Sequence, residues 1–346
     1  AMNDIQEALL IYQLENLIFS MDPKQMNTAI RMNISAQPFS ASYKNQEGKE
    51  VSIDLIAPDI VESYTWLYNN YKGLKGAKSL DEVKKDPHYA NFITKMRYLY
   101  EAIGDTFDHA TSYPWLTYLN TGMTERQVRD LTFKATEWQL KEPVEAVKWT
   151  SPSSLPGKAG VISISWKNGL RLVPEMQDLY QAFRDSGIDV WIVTASFADI
   201  VKEISSNPKF GYFHPSERVL GMELVRDAKG VIQSEFPKDR DQTQGKGKTR
   251  TIERFLVSRY GYGPIFVAGD SEGDQNMMAD FPDTKLTLII NRLRDPKTDI
   301  GKFSKIAVDT YGKPDVRYLL QGRNDDQGHF VKSQLHYKLG SKEGKA

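Results

Sequence analysis

Beyond about residue 160 the chain alternates short apolar runs with amphipathic segments, and this alternation restricts its fold more than any other feature. "VISISW" (161–166) reads as a strand. The helix "VPEMQDLYQAFRDSG" follows, with Pro174 in its first turn, an apolar stripe of Met176, Leu179, Tyr180 and Phe183, and Gly187 as its stop. "IDVWIVTAS" (188–196) is a continuous apolar run of the kind a central parallel strand shows. Then come a helix in "FADIVKEISS", a hairpin in "RVLGMELVRDAKGVIQSEF" turning near Asp227 to Gly230, and a helix in "TRTIERFLVSRY". The strand "PIFVAGD", the helix "DQNMMADF" and the strand "KLTLII" complete the series. Repeated βαβ units predict a parallel sheet wound with helices on both faces.

The first half is different in kind, helical and rich in aromatic residues. "NDIQEALLIYQLENLIF" opens on an Asn3/Asp4 cap, with Ile5, Leu9 and Tyr12 on one stripe, and a second helix is expected to begin at Pro58. Further helices are expected in "HYANFITKMRYLYEAI" and "TERQVRDLTFKATEWQL". The Pro-, Ser- and Gly-rich stretch 148–160 marks a boundary, so residues 1–155 are expected as a helical domain and 156–346 as the α/β core. The tail after about 322 reads as a peripheral strand and a frayed terminus.

In wound sheets, ligands bind beyond the carboxyl ends of the strands. Two such ends carry suitable groups: Thr194, followed by the backbone N–H groups of Ala195 and Ser196, and Asp270, with Asp274 one helical turn later in "GDSEGD". Paired carboxylates suit magnesium, though they also cap helices. Between them, Lys248 sits at a helix start, where the dipole favours anions, and is expected to face phosphate. Charge constrains the partners too: 45 basic and 45 acidic residues leave no global field for nucleic acid or an acidic membrane. The absence of cysteine excludes disulfides and thiolate chemistry. No apolar run is long enough to span a bilayer, and the five histidines show no metal-ligand spacing. The sequence leaves the compartment open between cytoplasm and export.

Taken in order, Thr194, Lys248 and "GDSEGD" resemble motifs two, three and four of the haloacid dehalogenase superfamily of phosphatases, over residues about 160 to 310. The wording "VWIVTAS" and "GKGKTRTI" is most similar to the branch holding phosphoserine phosphatase and phosphorylcholine phosphatase. The resemblance implies a Rossmann-like core beneath a large helical cap, a magnesium ion, and hydrolysis of a small phosphate monoester through an aspartyl-phosphate. It implies Asp270 as a metal ligand and Asp274 as a ligand of the metal or its waters. Thr194, Ala195 and Ser196 would bind phosphate, and Lys248 would bridge nucleophile and phosphate.

The family's first motif, an apolar strand ending in Asp-x-Asp-x-Thr, is not found in its place. Asp22 is followed by Lys24, Asp54 lies in "VSIDLIAPD", and the literal match "DRDQT" (239–243) follows "SEFPK" rather than a buried strand. The chain opens Ala1-Met2, as after removal of a tag, and the missing strand is expected immediately upstream, which leaves this chain with little turnover. Loss of a central strand is also expected to leave unpaired edges, which "VISISW" would partly fill. Two other readings stay open: a noncatalytic module that keeps metal and phosphate contacts without turnover, and an unrelated α/β protein in which "GDSEGD" only caps a helix. Trp66, Trp115, Trp138 and Trp149 would suit a box for a quaternary ammonium such as that of phosphorylcholine, or ordinary helix packing.

Overall fold

The computed structural model describes residues 4–346. The first helices are α1 (Ile5–Asn16), α2 (Pro23–Arg31), α3 (Ile53–Asn70), α4 (Leu80–Val83), α5 (Pro87–Thr106), α6 (His109–Tyr118) and α7 (Glu125–Gln139). Local chemistry explains their starts. The Asp4 carboxylate accepts from the N–H groups of Gln6 and Glu7 at 2.7 and 3.1 Å, and capping boxes start α2, α4 and α7 at Asp22, Ser79 and Thr124. Asn3 lies outside the described residues. Helix α3 begins at Ile53 rather than at Pro58, because Ile53, Ile56, Ala57 and Ile60 bury one face at helical spacing. Pro58 sits inside it and forfeits the one backbone bond its missing N–H would have made.

After α7 come β1 (Glu145–Thr150) and β2 (Ser163–Asn168), which pair antiparallel, so "VISISW" joins a hairpin of its own and fills no gap in the parallel sheets. The α/β series then runs α8 (Pro174–Asp185), β3 (Ile192–Phe197), α9 (Ala198–Ser206), β4 (Val219–Met222) and α10 (Lys246–Ile252). A π-helical turn over Glu253–Val257 leads to α11 (Ser258–Tyr260), β5 (Phe266–Gly269), α12 (Gln275–Ala279), β6 (Leu286–Ile290), α13 (Asp299–Asp309) and β7 (Tyr318–Gln321). All these ladders are parallel: β3 with β4, and β5 with β6 with β7. This mixed α/β arrangement is consistent with a Rossmann-like fold, but its parallel strands fall into two separate half-sheets. The expected hairpin keeps its Asp227–Gly230 turn, whereas its first arm pairs with β3.

Two apolar clusters support this frame. One runs from Leu9 to Ile232 and joins the helices to Phe197, Ile200 and Ile204; the other runs from Ile252 to Leu320 around β5 and β6. The tail is ordered rather than frayed. Short strands β8 (Arg323–Asn324), β9 (His329–Phe330), β10 (His336–Tyr337) and β11 (Gly344–Lys345) form a small sheet. Buried Asp325 ties it to β2 through Lys167 at 2.7 Å, with Arg323 at 3.0 Å and His336 at 3.1 Å beside it. Among the described residues no helix is long and apolar enough to cross a membrane.

Candidate functional site

Strands β3 and β5 direct their carboxyl ends into one pocket of about 590 Å³. Thr194, Ala195, Ser196, Lys248, Asp270 and Asp274, scattered over 81 positions of sequence, all line it. At the first strand end the β3–β4 register shifts between Val193 and Phe197, so the backbone of 194–196 leaves the ladder and turns toward the pocket rim. The Thr194 hydroxyl accepts from the N–H of Ser196 at 3.1 Å, and the Thr194 carbonyl accepts from the Thr243 hydroxyl, which fixes the turn. At the second end a Cβ on Gly269 would lie 2.6 Å from the Asp274 side chain, so only glycine lets Asp274 fold back over the strand.

Asp274 spends both oxygens inside the protein. One accepts from Lys248 Nζ at 2.7 Å; the other accepts from the N–H groups of Asp270 and Ser271, at 2.9 and 3.1 Å, and from the Ser271 hydroxyl. Burial pushes its carboxyl up, but the Lys248 charge and these donors outweigh that and hold it below the ordinary carboxylate range. Lys248 also donates to the Val193 carbonyl at 2.7 Å, which leaves one of its three ammonium protons for another acceptor.

Arginines complete this wall, and the sequence reading passed over them. Arg292 donates to the Asp270 carboxylate at 3.0 Å, Arg294 donates to the Asp270 carbonyl at 2.9 Å, and Arg323 lines the same pocket. A signal for them existed: Arg292 and Arg294 follow the carboxyl end of β6, and Arg323 follows β7, the positions where such sheets place ligand contacts. These pairings bear on magnesium. Among the described residues no group of three or more His, Cys, Asp or Glu side chains gathers in metal-binding geometry. Asp274 is consumed, and Asp270 is engaged by Arg292. Of the two acids, Asp270 alone is left within reach of a metal, and Arg292 competes for it.

The opposite wall comes from α1, α5 and α6 and includes Glu7, Tyr100, Glu101, Asp105, His109 and Tyr113. His109 stacks on Tyr113 with ring centroids 4.5 Å apart. Burial pushes the Glu7 carboxyl up to about 7 against the pull of Arg97, with Asp4 and Glu101 adding to the rise. Its folded value exceeds its unfolded one, so its contribution to stability is full below about pH 4 and is lost as pH rises through 7. None of the four tryptophans considered as an ammonium box lines the pocket. Trp115 is buried with its indole N–H on the Ile30 carbonyl, Trp66 stacks on His88, Trp138 packs on Tyr12, and Trp149 packs on Trp166.

No family model matches the chain. Phosphorylcholine phosphatase from Pseudomonas aeruginosa is 21% identical over 118 residues, 34% of this chain and 31% of that protein. The match thus spans about a third of the curated relative's length. This weak similarity suggests the haloacid dehalogenase superfamily. A phosphoserine phosphohydrolase-like protein from Francisella tularensis aligns over 61% of this chain and 77% of its own at 12% identity, with a TM-score of 0.36, too loose to support an argument. The crystal structure of a conserved functionally unknown protein from Anaerococcus prevotii superposes with a TM-score of 0.89 over 96% of this chain and 85% of its own, at 36% identity. At that identity and coverage, the chain belongs to the same family as the conserved Anaerococcus prevotii protein.

Proposed function

We propose that the pocket holds the phosphoryl group of a small phosphate monoester and that this protein serves the hydrolysis of such esters. The observation that carries the reading is the meeting of Thr194–Ser196, Lys248 and the Asp270–Asp274 turn on one pocket, with Arg292, Arg294 and Arg323 beside them. A phosphate dianion leaving water needs donors to replace its hydration, and charge-assisted donors do this best. Guanidinium forks, the remaining Lys248 proton and the Thr194 hydroxyl answer that need. Asp274 acts as a positioning residue, since it fixes the ammonium of Lys248 without offering an oxygen to a ligand. The helices of the opposite wall serve as the cap.

Turnover through an aspartyl-phosphate requires a carboxylate in line with the ester bond. Asp239 and Asp241 lie in the loop before α10, where Asp241 pairs with Arg250 at 2.6 Å, and among the described residues no carboxylate stands at a strand end between β3 and β5. On this reading the protein binds phosphate esters and turns them over little. Magnesium, which the resemblance implies, would find Asp270 alone, in competition with Arg292. A noncatalytic phosphate-binding protein is the second reading, favoured by that same Arg292–Asp270 pair.

Calorimetric titration with inorganic phosphate tests the reading. Arg292→Ala should weaken binding about tenfold or more, as loss of a charge-assisted hydrogen bond does. Millimolar magnesium should leave the wild-type affinity unchanged. Equal affinity in wild type and variant would refute the pocket as the phosphate site.

A further inference from the structure

The tail beyond β7 is built into the wall that carries the arginines. Arg323 and Asp325 stand two positions apart, the spacing that puts side chains on one face of an extended segment. One Asp325 oxygen lies 3.0 Å from Nη2 of Arg323 and 3.1 Å from Nε2 of His336 on β10; the other accepts from Lys167 of β2 at 2.7 Å. Backbone bonds clamp the pair, since the Asp325 N–H donates to the Tyr337 carbonyl at 3.0 Å and the Gly322 N–H to the Ser333 carbonyl at 2.8 Å. Burial pushes the Asp325 carboxyl up, but His336, Lys167 and Arg323 outweigh that and hold it well below the ordinary carboxylate range. The tail reaches the other arginines as well. Asn291, buried just after β6 and just before Arg292, donates from its amide to the carbonyls of Gln334 at 2.7 Å and Lys345 at 3.1 Å. Arg323 is 6% exposed and lines the pocket, yet among the described residues its Nε has no hydrogen-bond partner. Burial lowers its guanidinium below the ordinary value against the pull of Asp325, and the like charges of Arg292 and Arg294 add to the fall. A buried cation in like-charged company, with a donor unfilled, is short of an anion.

We propose that the tail sheet sets the anion-binding wall, with Asp325 as a positioning residue that holds Arg323 at the pocket and Asn291 as a second that fixes the turn bearing Arg292 and Arg294. The inference rests on the reading of the pocket as a phosphate site and adds the support that gives the site its shape. A knot that only tied the tail to β2 would need Lys167 and Asp325 alone; the third member, Arg323, carries its charge to the pocket. Arginine suits this arrangement, since a planar fork held by one carboxylate keeps its other N–H groups in a fixed direction. An incoming phosphate oxygen takes up charge-assisted bonds there and relieves the repulsion among the three guanidiniums. Anion binding and tail order are then coupled, each raising the other.

Calorimetry with inorganic phosphate on the full chain tests this by a double-mutant cycle. Arg323→Gln and Asp325→Asn should each weaken binding about tenfold or more. The double variant should bind no more weakly than Arg323→Gln alone, because Asp325 acts through that guanidinium. Asp325→Asn also deprives Lys167 of its carboxylate, so the wild type supplies a second reading free of any folding defect. With saturating phosphate, hydrogen exchange at the amides of Gly322, Asp325 and Val331 should slow about threefold or more, while that of Val231 in the distant hairpin turn stays unchanged. Additive losses in the cycle, or unchanged exchange at all three tail amides, would overturn the positioning role. Wild-type affinity in Arg323→Gln, with Arg292→Ala still weakened, overturns this inference alone. Absence of phosphate binding by the wild type overturns it together with the phosphate reading.

Discussion

Replacing Lys248 with methionine should cost the fold about 3–5 kcal/mol, the loss expected when one partner of a buried ion pair is removed. Lys248 and Asp274 are both about nine-tenths or more buried and lie 2.7 Å apart, so methionine strands a carboxylate whose remaining donors are the N–H groups of Asp270 and Ser271 and one hydroxyl. The pH dependence has a definite sign. In the wild type the Asp274 carboxyl is held low, so its contribution is present above about pH 4 and fades as the solution becomes more acid. In the variant burial acts without the lysine and raises that carboxyl, so stability is lost as pH rises and the gap from wild type narrows toward pH 4. Urea unfolding at pH 7 and pH 4 checks both statements. Lys248→Met combined with Asp274→Asn should recover much of the stability while phosphate binding stays lost. Recovery of binding with stability would show that the pair is structural only.

A comparable loss, again about 3–5 kcal/mol, is expected for Asp59→Ala. Asp59 on α3 accepts from Lys95 Nζ on α5 at 2.8 Å and from the N–H groups of Lys158 and Ala159 at 2.7 and 2.9 Å. Lys95 also donates to the Pro156 carbonyl at 2.8 Å and is fully buried. This knot pins the segment before β2 onto two helices. Alanine would leave an ammonium and two amides short of partners, so hydrogen exchange at 156–160 should accelerate along with the fall in the urea midpoint. Unchanged exchange there would show that the segment is held by other contacts.

The parallel strands and their flanking helices were legible because each carries its own period and its own punctuation. Pro174 does open a helix, and the turn at Asp227–Gly230 forms as read. What the sequence concealed depends on partners distant along the chain. The arm Val219–Met222 reads equally well as a hairpin strand or a parallel one, and only the edge offered by β3 decides. The tail looks polar and frayed until Lys167 reaches Asp325, 158 positions away. At the site, Thr194, Lys248 and Asp270 stood out because strand ends and a helix start announce them. Arg292 and Arg323 follow other strand ends and were missed, and the occupation of Asp274 by Lys248 is a matter of distance that no spacing reveals.

The pocket at the carboxyl ends of β3 and β5 is proposed to receive a phosphate-like anion. Crystals soaked in tungstate, a heavy tetrahedral analogue of phosphate, test it most directly through anomalous scattering. The strongest anomalous peak should lie within hydrogen-bond reach of Lys248 Nζ and the Thr194–Ser196 turn, flanked by Arg292. A strongest peak elsewhere on the molecule, with this pocket empty, would contradict it.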